Sequence, residues 1–200
     1  MELNEKPKRE KYKVFEGVIT EQMPKLIADK RIPMTFEEIA DRIINSKQDN
    51  WRNNWFDTCD AIVCSGNKIK IIKRCPALLK LNEKTKLIDG GIRLQLKAYN
   101  NFKDKEFDKN KVKLNEELTK KEALKHPIWK YLLGKYHKKY VELVFKENET
   151  AMGMWVLSEN LILCSWFAYG FCLGAWAFGY CRLGYARGRL VGVAKEKKRR

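Results

Sequence analysis

The sequence predicts an α+β fold on three observations. Two capping boxes, Thr35-Phe36-Glu37-Glu38 and Thr119-Lys120-Lys121-Glu122, mark helix starts: in each, the threonine oxygen and the second glutamate satisfy each other's free backbone N–H groups. Residues 68–73 run Lys68-Ile69-Lys70-Ile71-Ile72-Lys73, an alternation that suits a strand with a basic outer face. Asp89-Gly90-Gly91 ahead of Ile92-Arg93-Leu94-Gln95-Leu96 is a hairpin turn, because glycine accepts positive φ. At 200 residues and 44% apolar composition the chain has room for one domain, or two small ones, around a sizeable core.

Residues 1–13 hold five basic and three acidic groups and read as a solvated tail. Residues 14–30 carry Val18, Met23, Leu26 and Ile27 at helical spacing around Pro24, which predicts a bent or late-starting helix. After the first capping box, Phe36, Ile39, Ala40, Ile43 and Ile44 form one apolar stripe. Residues 46–49 then turn the chain, with Asp49 placed to cap a third helix over 50–62, whose Trp51, Trp55, Cys59 and Ile62 recur at spacings of 4, 4 and 3. Ser65-Gly66-Asn67 is a turn, and beyond the basic strand residues 78–81 and 87–88 read as further short strands. The polar, charge-mixed stretch 98–118 reads as a linker between residues 14–97 and a second part, 119–193. In that second part Pro127 opens a helix on which Trp129, Leu132, Leu133, Tyr140, Val141 and Val144 lie opposite Lys130, Lys135, Lys138 and Lys139. Residues 194–200 form a basic tail.

Residues 161–181 contain no charge and are rich in aromatics and glycine. Their length suffices for a transmembrane helix, Gly170 and Gly174 match small-xxx-small packing, and Arg182, Arg187 and Arg189 suit a cytosolic flank. Against that, aromatics lie throughout the run, and Trp176 to Tyr180 alternates large and small side chains with period two, as in a packed strand. The run therefore reads as an aromatic, glycine-rich core, with a membrane-tethered protein as the alternative.

Charge narrows the function. There are 41 Lys+Arg against 25 Asp+Glu, a net +16 gathered into islands at residues 61–97, 120–139 and 182–200. Such a field attracts polyanions, either nucleic acid or an anionic membrane. No phosphate loop, nucleophile elbow or His-Glu-x-x-His motif occurs, so an enzyme is not indicated and no cofactor is implied. Cys59, Cys64, Cys75, Cys164, Cys172 and Cys181 lack the paired short spacing of a zinc site, and no metal is expected. His126 and His137 are eleven positions apart, about 16 Å along one helix, too far to share an ion. With no amino-terminal signal, the expected setting is the cytosol, where those thiols stay reduced.

The order of helix, capped helix, turn, helix and basic strand over residues 14–74 resembles the winged helix-turn-helix superfamily. That resemblance implies DNA binding with the third helix in the major groove. It would make Arg52, Asn53 and Asn54 base readers, and Lys47, Lys68, Lys70, Lys73 and Arg74 phosphate contacts. The expectation is thus a non-enzymatic protein binding double-stranded nucleic acid, DNA before RNA, with a protein-interaction scaffold as a further alternative.

Overall fold

The computed structural model describes residues 12–46, 49–156, 161–169, 177–179 and 183–194. The first half of the chain forms β1 (Tyr12–Glu16), α1 (Ile19–Ala28), β2 (Arg31–Pro33), α2 (Phe36–Asn45), α3 (Asp49–Arg52), β3 (Trp55–Ser65), β4 (Lys68–Ile72), α4 (Pro76–Leu79), β5 (Ile92–Arg93) and α5 (Leu96–Asn101). The second half forms β6 (Lys105–Asp108), β7 (Leu118–Thr119), α6 (Lys120–Lys125), α7 (Pro127–Leu133), α8 (His137–Val144), β8 (Thr150–Ala151), β9 (Met154–Val156), β10 (Ile162–Tyr169), β11 (Ala177–Gly179) and β12 (Arg189–Ala194). The α+β class is as the sequence indicates.

Among the described residues ten strands make one mixed sheet, ordered β1-β12-β3-β10-β11-β9 along its main path, with β2, β4, β5 and β6 branching from it. β3 organises it. Antiparallel β10 follows β3 from Val63 to Trp55, β4 pairs with its second half, and β12 runs parallel to it at Leu190 and Asp57. Residues 56–64 are therefore buried without interruption. β1 pairs with β12 along its full length, so strands from the two ends of the sequence lie side by side.

Both capping boxes form: Thr35 and Thr119 each accept from the backbone N–H three residues on, and Glu38 and Glu122 return the bond. The turn at Asp89 and Gly90 forms with φ of 52° and 82°, closed by paired backbone bonds between Ile88 and Gly91. Trp51, Trp129, Trp166, Phe36, Phe56 and Tyr140 are fully buried and anchor the core.

Several expectations are corrected. The third helix predicted over 50–62 is only α3, followed by β3. The 4, 4, 3 spacing of its apolar residues mimics a helix, whereas a strand buried on both faces shows no alternation to reveal it. Without that helix there is no winged-helix arrangement. Residues 76–79 are helical, not extended, and residues 12–16 form β1, after which the expected late-starting helix begins at Ile19 as α1. The stretch 98–118 is no linker, since it contains β6 paired with β4 and β7 paired with β8. The uncharged run forms β10 and β11 where described, and no helix among the described residues is long and apolar enough to cross a membrane. Its residues 170–176 and 180–181 lie outside the described residues, as do most of both tails.

Candidate binding site

The eight residues expected to contact nucleic acid are mostly engaged inside the fold. Arg52 sits at the end of α3 and donates to the carbonyls of Ile43 and Ser46, closing the carboxy-terminal end of α2. Asn54 donates to the Asn50 carbonyl and accepts from Arg189, while Asn53 is exposed. Lys70 is buried. Its Nζ donates at 3.0 Å to the carbonyls of Tyr99 and Phe102 and lies 4.2 Å from the Tyr99 ring centre, tying α5 to β4. Lys73 pairs with Glu37 at 2.9 Å and Arg74 with Glu38 at 2.8 Å, so two clefts beside α2 are lined by charges that neutralise one another. Lys68 is exposed and 3.6 Å from Glu106. Lys47 lies outside the described residues. The basic residues of 52–74 thus do not converge on one surface, because long-range partners that no local pattern reveals claim most of them.

Below Arg74 the Asp60 carboxylate accepts the backbone N–H of Phe36 at 2.7 Å and of Arg74 at 2.8 Å, joining the start of α2 to the end of β4. Burial pushes its pKa up to about 6 against those two bonds. The role is structural: it satisfies an orphan N–H in the first turn of α2.

A different site lies where β3 begins and β10 ends, with Tyr169 opposite Trp55 in the ladder. A cleft of about 280 Å³ is lined there by Glu16, Gly17, Trp55, Arg187, Gly188 and Arg189. Its floor is fixed from several directions. The Arg189 guanidinium lies 4.4 Å from the Trp55 ring centre, pairs with Glu16 at 3.0 Å and donates to Asn54 Oδ1. Trp55 Nε1 donates to the Arg187 carbonyl, and the Arg189 backbone N–H donates to buried Asp57 at 2.6 Å. Burial lifts Asp57 to about 7, with the Arg189 amide bond and guanidinium charge opposing. Gly188 is required by close approach, since a Cβ there would stand 2.6 Å from the Gly17 carbonyl and 3.2 Å from Asp57 Oδ2.

At the edge of the cleft, in the turn closed by the bond from the Gly188 N–H to the Tyr185 carbonyl, Tyr185 is 39% exposed, and exposed Arg187 has no side-chain partner among the described residues. Sequence reasoning placed Arg187 and Arg189 within a basic island and, on the membrane alternative, in a cytosolic flank, and nothing local marked Trp55 and Glu16 as their partners.

Four cysteines, Cys59, Cys64, Cys75 and Cys164, are buried free thiols, and burial raises the first three above the ordinary thiol range. Among the described residues no group of three or more His, Cys, Asp or Glu is placed to hold a metal ion.

No protein-family model matches the sequence, and no curated protein matches it significantly. The fold itself does have a counterpart. A solved structure concerning the accommodation of massive sequence variation in Nanoarchaeota by the C-type lectin fold aligns with 94% of this chain and 100% of its own. The TM-score is 0.73 and the identity 18%. This protein therefore has an α+β architecture of the C-type lectin kind, which overturns the winged-helix resemblance and the DNA-binding domain it implied.

Proposed function

We propose that this chain is a binding protein, and that the cleft between Trp55 and Arg189, with its Tyr185 and Arg187 rim, holds a protein partner bearing an acidic patch. The observation that carries this reading is the division of labour at the site. Glu16, Asn54, Asp57 and Trp55 hold Arg189 in one geometry, while Arg187 and Tyr185 face solvent beside it. Tryptophan, tyrosine and arginine are the side chains that dominate protein interfaces, and a rigid floor lowers the entropy lost on binding. The fold likeness supports the same reading. In the nanoarchaeal protein the C-type lectin fold accommodates massive sequence variation, so such a scaffold can separate folding from recognition. Here the aromatic, glycine-rich run enters the described sheet at β10, directly against β3.

The test is an array of Asp- and Glu-rich peptides, probed with the parent and with the Tyr185→Ala/Arg187→Ala double variant. Because both positions are at the surface, the variant melts within about 3 °C of the parent. It loses at least tenfold in signal on the peptides the parent retains. A parent that binds no acidic peptide, or a variant that binds them equally well, rules the proposal out.

A further inference from the structure

We infer that the outer face of α6, α7 and α8 is a second binding surface, separate from the Trp55 cleft, which takes the sugar-phosphate backbone of duplex nucleic acid without reading its sequence. The argument begins with charge that has no partner. Residues 120–139 contain seven lysines and one acid, Glu122. That acid is engaged elsewhere: it closes the Thr119 capping box and pairs with Lys113 at 2.8 Å, which pulls its pKa down to about 2. Some cations elsewhere are matched, as in Lys13 and Arg31 with Asp29, Lys73 with Glu37, and Arg74 with Glu38, while exposed Lys80, Lys84, Lys86 and Lys97 have no carboxylate within 4 Å among the described residues. On the three helices Lys121, Lys125, Lys130 and Lys139 are exposed and have no carboxylate within 4 Å among the described residues, and Lys138 only reaches Glu142 at 4.0 Å.

The packing leaves these lysines exposed. Ile128, Trp129, Leu132 and Leu133 of α7 and Tyr140, Val141 and Val144 of α8 are buried, so Lys130, Lys138 and Lys139 occupy the opposite faces. The helices form one corner: α8 is joined to α6 through His137 Nε2 and the Ala123 carbonyl at 3.0 Å. The Lys130 charge reaches the same imidazole, adding to the burial that lowers its pKa. Lys121 and Lys125 are like-charge neighbours four positions apart on α6, an arrangement that weakens a helix unless a polyanion offsets it.

The surroundings choose the polyanion. Entry into an anionic bilayer would call for an apolar face, yet among the described residues the exposed large apolar side chains are Ile27, Leu96 and Tyr185, none of them on these helices. Single strands are held by stacking on exposed aromatics, whereas Trp129 and Tyr140 are buried and the half-buried Tyr136 ring has the Lys135 ammonium 5.0 Å from its centre. What remains is a field of ammonium groups suited to phosphates.

Fluorescence anisotropy with a mixed-sequence 24-base-pair DNA duplex, titrated at several salt concentrations, tests this. The parent binds with log affinity falling linearly against log salt. The Lys121→Gln/Lys125→Gln/Lys130→Gln/Lys139→Gln variant loses at least tenfold at low salt, and its slope becomes shallower by roughly 3 to 4, about 0.9 for each phosphate contact removed. A control of equal charge loss, Lys80→Gln/Lys84→Gln/Lys86→Gln/Lys97→Gln, and the Tyr185→Ala/Arg187→Ala rim variant both stay within threefold of the parent. Retention of duplex binding by the rim variant makes this result independent of the peptide array. The inference is overturned if the parent does not bind duplex at low salt, if its affinity ignores salt, or if the control loses as much as the helix variant. Binding to vesicles containing anionic lipid but not to duplex overturns it as well.

Discussion

Replacing Trp129 with alanine lowers the unfolding free energy by about 3–5 kcal/mol, the range for removing a large buried aromatic. Trp129 is fully buried where α7 meets three other parts of the fold. Its ring meets Phe36 of α2 edge-on at 5.6 Å and stacks on Tyr140 of α8 at 6.5 Å, and its indole N–H donates to the Met152 carbonyl at 2.8 Å. Met152 has a φ of 53°, unusual for a side chain of its kind, and that bond helps to hold it there. The alanine variant leaves a cavity and an unpaired carbonyl together. Trp129→Phe keeps most of the apolar contact and loses the bond, so its loss is about 1–2 kcal/mol. Urea titrations of the three proteins measure both values. A loss below about 1 kcal/mol for the alanine variant would show that this packing does not join the helices to the sheet.

Asp57→Asn gives the second large effect, and it depends on pH. Burial raises the Asp57 carboxyl from its ordinary 3.8 to about 7. Between those values the folded chain holds a proton that the unfolded chain has released, so stability falls as pH rises. The contribution is complete below about 3.8 and gone above about 7. Asparagine keeps an acceptor for the Arg189 backbone N–H and carries no titrating proton. Relative to the parent, the variant therefore gains as pH rises from 4 to 8, by up to roughly 4 kcal/mol for the gap between 3.8 and about 7. His126 and His137, both lowered chiefly by burial, act in the opposite direction, with stability that is lost as pH falls below their ordinary 6.5. They are common to both proteins and cancel in the comparison. Parallel melting curves at pH 4, 6 and 8 read it out, and a constant difference across that range contradicts a buried, protonated Asp57.

What the sequence discloses here is what is local. The Thr35 and Thr119 boxes, the Asp89-Gly90 turn and the basic strand at 68–72 each depend on neighbours within a few positions, and each forms. β3 was hidden because both its faces are buried and its apolar spacing imitates a helix. The parallel pairings of β12 with β3 and of β11 with β9 leave no trace in any short window. The same holds for function. Lys70, Lys73 and Arg74 show their charge in the sequence but not their partners at Tyr99, Glu37 and Glu38, about thirty positions away. The Trp55 cleft joins residues 16–17, 55 and 186–189, so only the folded chain assembles it.

The pairing of β1 with β12 has a consequence for biosynthesis. While a ribosome is still extending the polypeptide short of Arg189, the first strand lacks its neighbour and Asp57 lacks the amide that Arg189 supplies. The nascent chain then carries open strand edges, which invite aggregation and chaperone capture, and closure waits for residues 189–194 to emerge.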